Sequence, residues 1–307
     1  MGRNLVLEPF TACAVLPAAV IAKVAEESQQ GERLPAVASG ECIYAVALSE
    51  PAARGDPARV TAQATRQADG SWRIDGRKSL VVGAPVADRL LVVARASGAE
   101  GSLDGLAVFD VAKDAPGVAL ESVALVDGTP SADVVLDGAI VDGSSLLGTA
   151  GQAGPGLQRA LDEAIVVQCA ETAGSVEDVL ALCSEYLKTR KQFGVPIGSF
   201  QALQHRMADM AIEASQVRAS LHRGLQALTT GAPARCSVDV SGVKAQVLKS
   251  ARFVTQHGIQ LHGGYGITEE YRVGHHWRRL LVTDSLFGNH AFHIERYARR
   301  LQQERPQ

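Results

Sequence analysis

Residues 161–187 read LDEAIVVQCAETAGSVEDVLALCSEYL, and their spacing decides the fold of the C-terminal half. Leu161, Ile165, Cys169, Thr172, Val176, Leu180, Cys183 and Leu187 recur at steps of three and four, one continuous face of a long helix. The period returns in Phe200, Leu203, Met207, Met210, Ala214, Val217 and Leu221, then in Val243, Val247, Ala251 and Val254. A last helix is predicted from about His290 to Arg300. Three or four such helices with short links can bury their apolar faces only against one another, which predicts an antiparallel bundle.

Toward the N-terminus the pattern changes near residue 150. Short apolar runs at 44–48, 60–66, 72–74, 89–94, 106–111 and 133–136 alternate with turn signals. Those signals are Asp69-Gly70, Asp75-Gly76, Asp104-Gly105 and Asp127-Gly128, at roughly ten-residue spacing. An antiparallel sheet, closed as a barrel or folded as a sandwich, is expected there. Before it, residues 5–25 are apolar enough to suggest an export signal. Arg3 is the one basic residue ahead of Glu8 and Pro9, Pro17 and Lys23 interrupt the run, and Glu26 and Glu27 close it. It is too short and too broken to span a bilayer and reads as a packed helix pair. The expected organisation is a helical segment (1–40), a β domain (41–148) and a helical bundle (149–307).

Composition narrows the function. Apolar residues at 46% and charged residues at 21% exclude disorder as the main state, and a net charge of −3 offers no footprint for nucleic acid or anionic lipid. Cys13, Cys42, Cys169, Cys183 and Cys236 are an odd, dispersed set without CxxC spacing, which reads as reduced thiols in the cytoplasm. No metal site is expected. His275 and His276 beside Trp277, Arg278 and Arg279 face different ways on a helix, and no third ligand is spaced to join them.

Three segments carry chemistry. Arg190-Lys191-Gln192-Phe193-Gly194 closes the first long helix. A cation there complements the helix dipole, and a guanidinium also presents a planar fork to a phosphate. Gln260-Leu261-His262-Gly263-Gly264-Tyr265-Gly266 ends another helix in glycines, which act as C-caps or let a bulky ligand approach the backbone. Leu48-Ser49-Glu50-Pro51 leaves the first strand into a turn, where a hydroxyl and exposed amides could meet the edge of a ring system.

In this order, LSEP, DGRKSLVVGAPVADRLLVVA, RKQFGVPIGSFQALQHRMADMA and QLHGGYGITEEY resemble the acyl-CoA dehydrogenases from about residue 5 onward. The resemblance implies an N-terminal helical domain, a β domain and a C-terminal four-helix bundle holding FAD and an acyl-CoA thioester. It further implies that Arg190, Gln192, Phe193, Gln260, Gly263 and Gly264 grip the FAD of an adjacent subunit, while Leu48 and Ser49 line a flavin in the chain's own cleft. In such enzymes a carboxylate removes the α-proton of the thioester while the β-hydrogen leaves as hydride to the flavin, giving a trans-2-enoyl-CoA. Electron-transferring flavoprotein is the acceptor that the family implies.

The chain departs from that pattern in four places. Phe287, in Thr283-Asp284-Ser285-Leu286-Phe287-Gly288-Asn289, falls where the family carries its catalytic Glu, and Asp284 lies three residues away. The alternative base position on the first long helix is Ala164, with Glu163 one residue and about 100° off. Leu80-Val81-Val82 replaces an element that supplies an aromatic ring and a flavin-bonding hydroxyl, and Arg54 replaces a small residue. The family also begins with further helices ahead of the position of Met1. Groups for a flavin in the chain's own cleft are lost while those for a neighbour's FAD remain. This is similar to the small subunits of α2β2 acyl-CoA dehydrogenases of the pimeloyl-CoA and steroid-degrading kinds. The reading is a subunit without its own base that completes the FAD site of a larger partner. A self-sufficient enzyme using Glu163, and a binding protein without flavin turnover, are the competing readings.

Overall fold

The computed structural model describes residues 1–53, 55–230 and 232–303. Arg54 therefore lies outside the described residues. The chain divides into two compact units: Glu8–Ala164, and Met1–Leu7 with the chain from Ile165 onward.

The first unit opens with helices α1 (Leu16–Val24) and α2 (Glu27–Ser39). Pro17 follows directly on a π-helical turn, Thr11–Val15, whose Leu16 N–H bonds the Thr11 carbonyl, and Val20 and Ile21 are fully buried. At the start of α2 the Gln29 side chain accepts from the Glu26 N–H at 3.1 Å. The same amide bonds the Leu146 carbonyl and the Gly148 N–H, which fastens the helix to the far end of the sheet strands. The apolar stretch 5–25 thus holds one α-helix, α1, where a pair was expected; α2 lies beyond it and buries no residue, and no helix among the described residues is long and apolar enough to cross a membrane.

Eight strands follow: β1 (Tyr44–Ala47), β2 (Gln63–Arg66), β3 (Trp72–Val82), β4 (Arg89–Arg95), β5 (Leu106–Ala112), β6 (Val118–Ala124), β7 (Pro130–Val141) and β8 (Leu146–Leu147). They form one open sheet in the order β6-β7-β3-β2-β4-β5-β8, with β1 also on β4. The expected barrel or sandwich does not form, because β6 and β8 are edges that do not meet. Nor is the sheet wholly antiparallel: β1 and β2 both run parallel to β4, one beyond the other along the same side. The chain leaves that line after Ala47 and rejoins it at Gln63, a crossover that DG turns cannot signal. β4 and β5 lie in the core, with Leu90 to Ala94 and Leu106 to Phe109 inaccessible to solvent, as strands covered on both faces must be.

Helix α3 (Gly154–Thr189) begins in the first unit and continues in the second from Ile165, leading through the short hairpin β9 (Lys191–Gln192) and β10 (Val195–Pro196) into α4 (Gln201–Thr230) and α5 (Pro233–His262). Two shorter helices, α6 (Val273–Ser285) and α7 (His290–Gln303), complete it, so five helices stand where three or four were expected. Apolar faces of α3, α4 and α5 supply the core, including Val176, Cys183, Met210, Val217, Val243, Val247 and Val254. α6 escaped the periodicity reading because His276 and Thr283 are among its inward-facing residues.

Candidate cofactor site

α3 stops at Thr189, and Arg190 follows with its N–H still bonded to the Tyr186 carbonyl. The Arg190 side chain is exposed and takes no hydrogen bond or ion pair among the described residues. Beyond it Gln192 pairs with Val195, leaving Phe193 and Gly194 as a two-residue turn with φ of 52° and 82°. Two positive φ values are the signature of a type I′ hairpin, which a Cβ-bearing aromatic residue enters only at a cost. Phe193 is 91% exposed and touches Phe200 edge-on, with 6.1 Å between ring centres. The Gln192 amide is exposed and reaches only the neighbouring Lys191 carbonyl.

The end of α5 lies against the same part of α3. Tyr186, one turn before Arg190, donates from its hydroxyl to the His262 carbonyl at 3.4 Å, and the two rings are 4.4 Å apart. Tyr265 and Tyr271 extend this aromatic cluster. Gly263 stands at φ 59°, ψ −139°, a pairing that only glycine adopts readily. Gly264 is different. Its φ is not in the left-handed region, and an added Cβ would meet nothing within 4 Å, so neither backbone nor packing of this chain demands a glycine there. Gln260 is exposed on the last turn of α5. Arg190, Gln192, Phe193, Gln260, Gly263 and Gly264 are therefore gathered on one end of the helical unit. They present a free cation, an open glycine turn, two amides and an outward aromatic ring. Such a set suits a phosphate-bearing ligand with a flat group.

Leu48 and Ser49 belong to the sheet unit, on the excursion between β1 and β2. The Leu48 carbonyl accepts from Lys78 Nζ at 3.3 Å and the Ser49 carbonyl from the Ser79 N–H at 2.8 Å, while the Ser49 hydroxyl has no partner among the described residues. Beneath them Glu50 and Lys78 form a buried ion pair at 2.6 Å. Glu50 also accepts from the N–H groups of Thr61 and Ala62. Burial pushes the Lys78 amine down to about 8 against the pull of Glu50. Burial opposes ionisation of Glu50, but Lys78 and Thr61 together hold its carboxyl below the usual range. Sequence reading missed this pair; the signal was a Glu and a Lys inside two motifs quoted only for the resemblance. Nearby, Leu80 takes a φ of 52°, and Val81 and Val82 are buried with no side-chain donor.

Phe287 follows α6 at φ 56° with its ring partly buried against the helical core. Lys244 Nζ donates to the Leu286 carbonyl and lies 5.8 Å from the centre of the Phe287 ring. His293 donates from Nε2 to the Phe287 carbonyl at 2.9 Å. Burial pushes Lys244 down to about 8, and burial with the nearby Lys244 charge pushes His293 down to about 3. Asp284 is committed elsewhere: it caps the His290 N–H at 2.8 Å and pairs with Arg252 at 2.7 Å. Glu163 pairs with Lys23 at 3.0 Å, on the sheet unit.

The two adjacent histidines take separate partners. His276 is buried between Ser175 and Asp178, at 2.6 and 3.0 Å, and His275 donates to the Glu269 carbonyl at 2.8 Å. Among the described residues no three His, Cys, Asp or Glu side chains are placed to share a metal ion.

Comparison with known proteins gives the family of both units. Residues 155–302 match the acyl-CoA dehydrogenase C-terminal domain and residues 45–139 the acyl-CoA dehydrogenase middle domain. The L-prolyl-[peptidyl-carrier protein] dehydrogenase of Pseudomonas fluorescens is 30% identical over 92% of this chain and 74% of its own length. The solved butyryl-CoA dehydrogenase of Megasphaera elsdenii superposes with a TM-score of 0.87 at 25% identity, over 95% of this chain and 76% of that one. A variant of the Tcur3481-Tcur3483 steroid ACAD gives 0.85 at 27% identity, over 98% and 78%.

Proposed function

The chain belongs to the acyl-CoA dehydrogenase family of flavin oxidoreductases acting on CH–CH bonds, and on that premise we propose that it is a heteromeric subunit lacking its own base. It completes the FAD site of a larger subunit, which contributes the carboxylate that removes the α-proton of an acyl-CoA thioester. One observation supports the reading: the loop of Phe287, which the resemblance sets at the family's base position, is pinned from both sides, while Arg190 and Gly264 stay open and without a partner among the described residues.

FAD, the family's cofactor, fits the donor set at the helical end. The unpaired Arg190 guanidinium neutralises phosphate charge, the space over Gly264 admits close backbone approach, and Gln192 and Gln260 offer exposed amides. When bound, FAD supplies the acceptor for the β-hydrogen of the thioester. Leu48 and Ser49 would meet a flavin edge, while Val82, which the resemblance sets at the family's flavin-bonding hydroxyl, has none to offer. Phe287 can exclude water but cannot take a proton. The pair formed with Lys23 weakens Glu163 as a substitute.

The thioester is read as an acyl-CoA because most of the similar dehydrogenases are named for CoA substrates, and a steroid ACAD among them makes a bulky acyl group a fair candidate. Electron-transferring flavoprotein is the proposed acceptor. Five free cysteines, three of them buried, suit the reducing cytoplasm in which we place the protein.

The test compares the chain alone with the chain co-expressed with a full-length homologue. We expect acyl-CoA to bleach bound flavin only in the joint preparation, and Glu163→Gln to leave turnover nearly untouched. Bleaching by the chain alone, abolished by Glu163→Gln, would establish the self-sufficient reading instead. A joint preparation without flavin would favour the binding-protein reading.

A further inference from the structure

We infer that His262, locked by Tyr271 and Tyr186, is a positioning residue that holds the turn of Gly263 and Gly264 in the shape that grips the ligand. This rests on the reading above that the turn contacts the ADP half of an FAD.

Gly263 occupies a sparsely populated backbone region, and such a conformation persists only where the surroundings over-determine it. The glycines have no side chains with which to do so, and the space around their missing Cβ atoms is empty. The constraint must enter through a neighbour. His262 is 3% exposed, with hydrogen bonds to Gly258, Tyr271 and Tyr186 and with Cys183 Sγ 4.0 Å from Nδ1. Its Nδ1 lies 2.7 Å from the Gly258 carbonyl, which can only accept, so Nδ1 carries the proton. Nε2 is then a bare lone pair and accepts from the Tyr271 hydroxyl at 3.0 Å. The His262 carbonyl, the first atom group of the turn's leading peptide, accepts from Tyr186 at 3.4 Å.

Ring contacts reinforce the bonds. His262 lies 4.4 Å from Tyr186 and 4.7 Å from Tyr271, and Tyr271 lies 4.4 Å from Tyr265 on the far side of the glycines. The turn is thus clamped before and after. Tyr186 stands one helical turn before Arg190, so the same clamp sets the glycine turn in register with the cation. Burial holds the imidazole below its usual range, which keeps Nε2 an acceptor.

Tyr271→Phe removes one hydroxyl and keeps the ring. Wild type, Tyr271→Phe, Tyr186→Phe and Arg190→Ala would be compared in the native assembly for bound FAD after gel filtration, FAD release rate, and melting of the flavin-stripped protein. We expect Tyr271→Phe to release FAD about fivefold faster, the effect of one lost hydrogen bond, with melting unchanged. Tyr186→Phe should act in the same direction and serves as the test if Tyr271→Phe does not fold. If neither tyrosine variant changes retention while Arg190→Ala does, the inference falls and the site stands. If none of the three changes it, the site reading falls and takes the inference with it. Retention that drops only in step with melting gives His262 a purely structural role and also overturns the inference.

Discussion

Phe193 and Phe287 hold bulky rings at nearly the same unfavourable backbone angle, with φ of 52° and 56°, but their surroundings are opposite. Phe287 is held by its own chain: Lys244 and His293 take the two carbonyls of its loop, and its ring joins the core. Phe193 faces solvent, beside an arginine without a side-chain partner among the described residues and near a glycine turn with empty space above it. Strain of this kind needs a compensating contact. At Phe287 the compensation is internal, and Asp284 beside it is already taken by His290 and Arg252. At Phe193 the described residues supply only the edge contact with Phe200.

If the Phe287 loop serves the fold, damage to it should register in stability. The largest expected effect is acid sensitivity through His293, held neutral by burial and by Lys244 with its value pushed down to about 3. An unfolded histidine titrates near ~6.5, so below that value the unfolded chain binds a proton that the folded chain refuses. The stability tied to His293 is complete above that value and drains as pH falls toward about 3, by up to about 1.4 kcal/mol per pH unit. Acid unfolding followed by circular dichroism should flatten in His293→Gln; an unchanged slope would remove His293 from the account. Next comes Gly288→Ala. Gly288 stands at φ 94°, and a Cβ would fall 2.6 Å from the Phe292 ring and 2.8 Å from His293 Nε2. A loss of about 3 kcal/mol in denaturant unfolding is expected from strain and overlap together.

Legibility in the sequence divides along the same line. Helices α3, α4 and α5 were readable because each turns one apolar stripe inward, and the positions of Arg190 and the glycine turn because they end such helices. α6 was not, since its buried His276 is satisfied by Ser175 and Asp178 and breaks no rule that periodicity can see. The openness of the sheet was also hidden. DG turns report hairpins, whereas β1 and β2 pair in parallel with β4 on either side of an excursion in which Glu50 pairs with Lys78 of β3, and no turn signal specifies a parallel partner. The clamp around His262 was beyond reach because it joins α3, α5 and a tyrosine nine residues further on.

At the open end, mutations should spare the fold and affect the ligand. Arg190→Ala should cut FAD occupancy by about 1.5–3 kcal/mol, the range of a charge-assisted phosphate contact, at unchanged melting. Full occupancy would leave the free guanidinium without a role. Phe193→Asn should move the two properties in opposite directions. It creates the Asn-Gly pair that type I′ turns prefer and should raise stability by about 1 kcal/mol, while weakening FAD retention through loss of the exposed ring. A variant that is more stable and retains FAD fully would show that the strain at Phe193 is incidental.

Gly264→Ala is the smallest perturbation and the sharpest. In the isolated chain the added methyl has no neighbour within 4 Å and the backbone is not left-handed, so thermal unfolding should change by less than about 0.5 kcal/mol. Alanine would even be favoured slightly by the reduced freedom of the unfolded chain. Glycine at this position is then explained only by something that approaches from outside, and the same methyl should obstruct it. FAD retention should therefore fall in Gly264→Ala although nothing in the protein itself has been disturbed. Retention equal to wild type would mean that the empty space over Gly264 is solvent, and the outward-facing half of the comparison would lose its ligand.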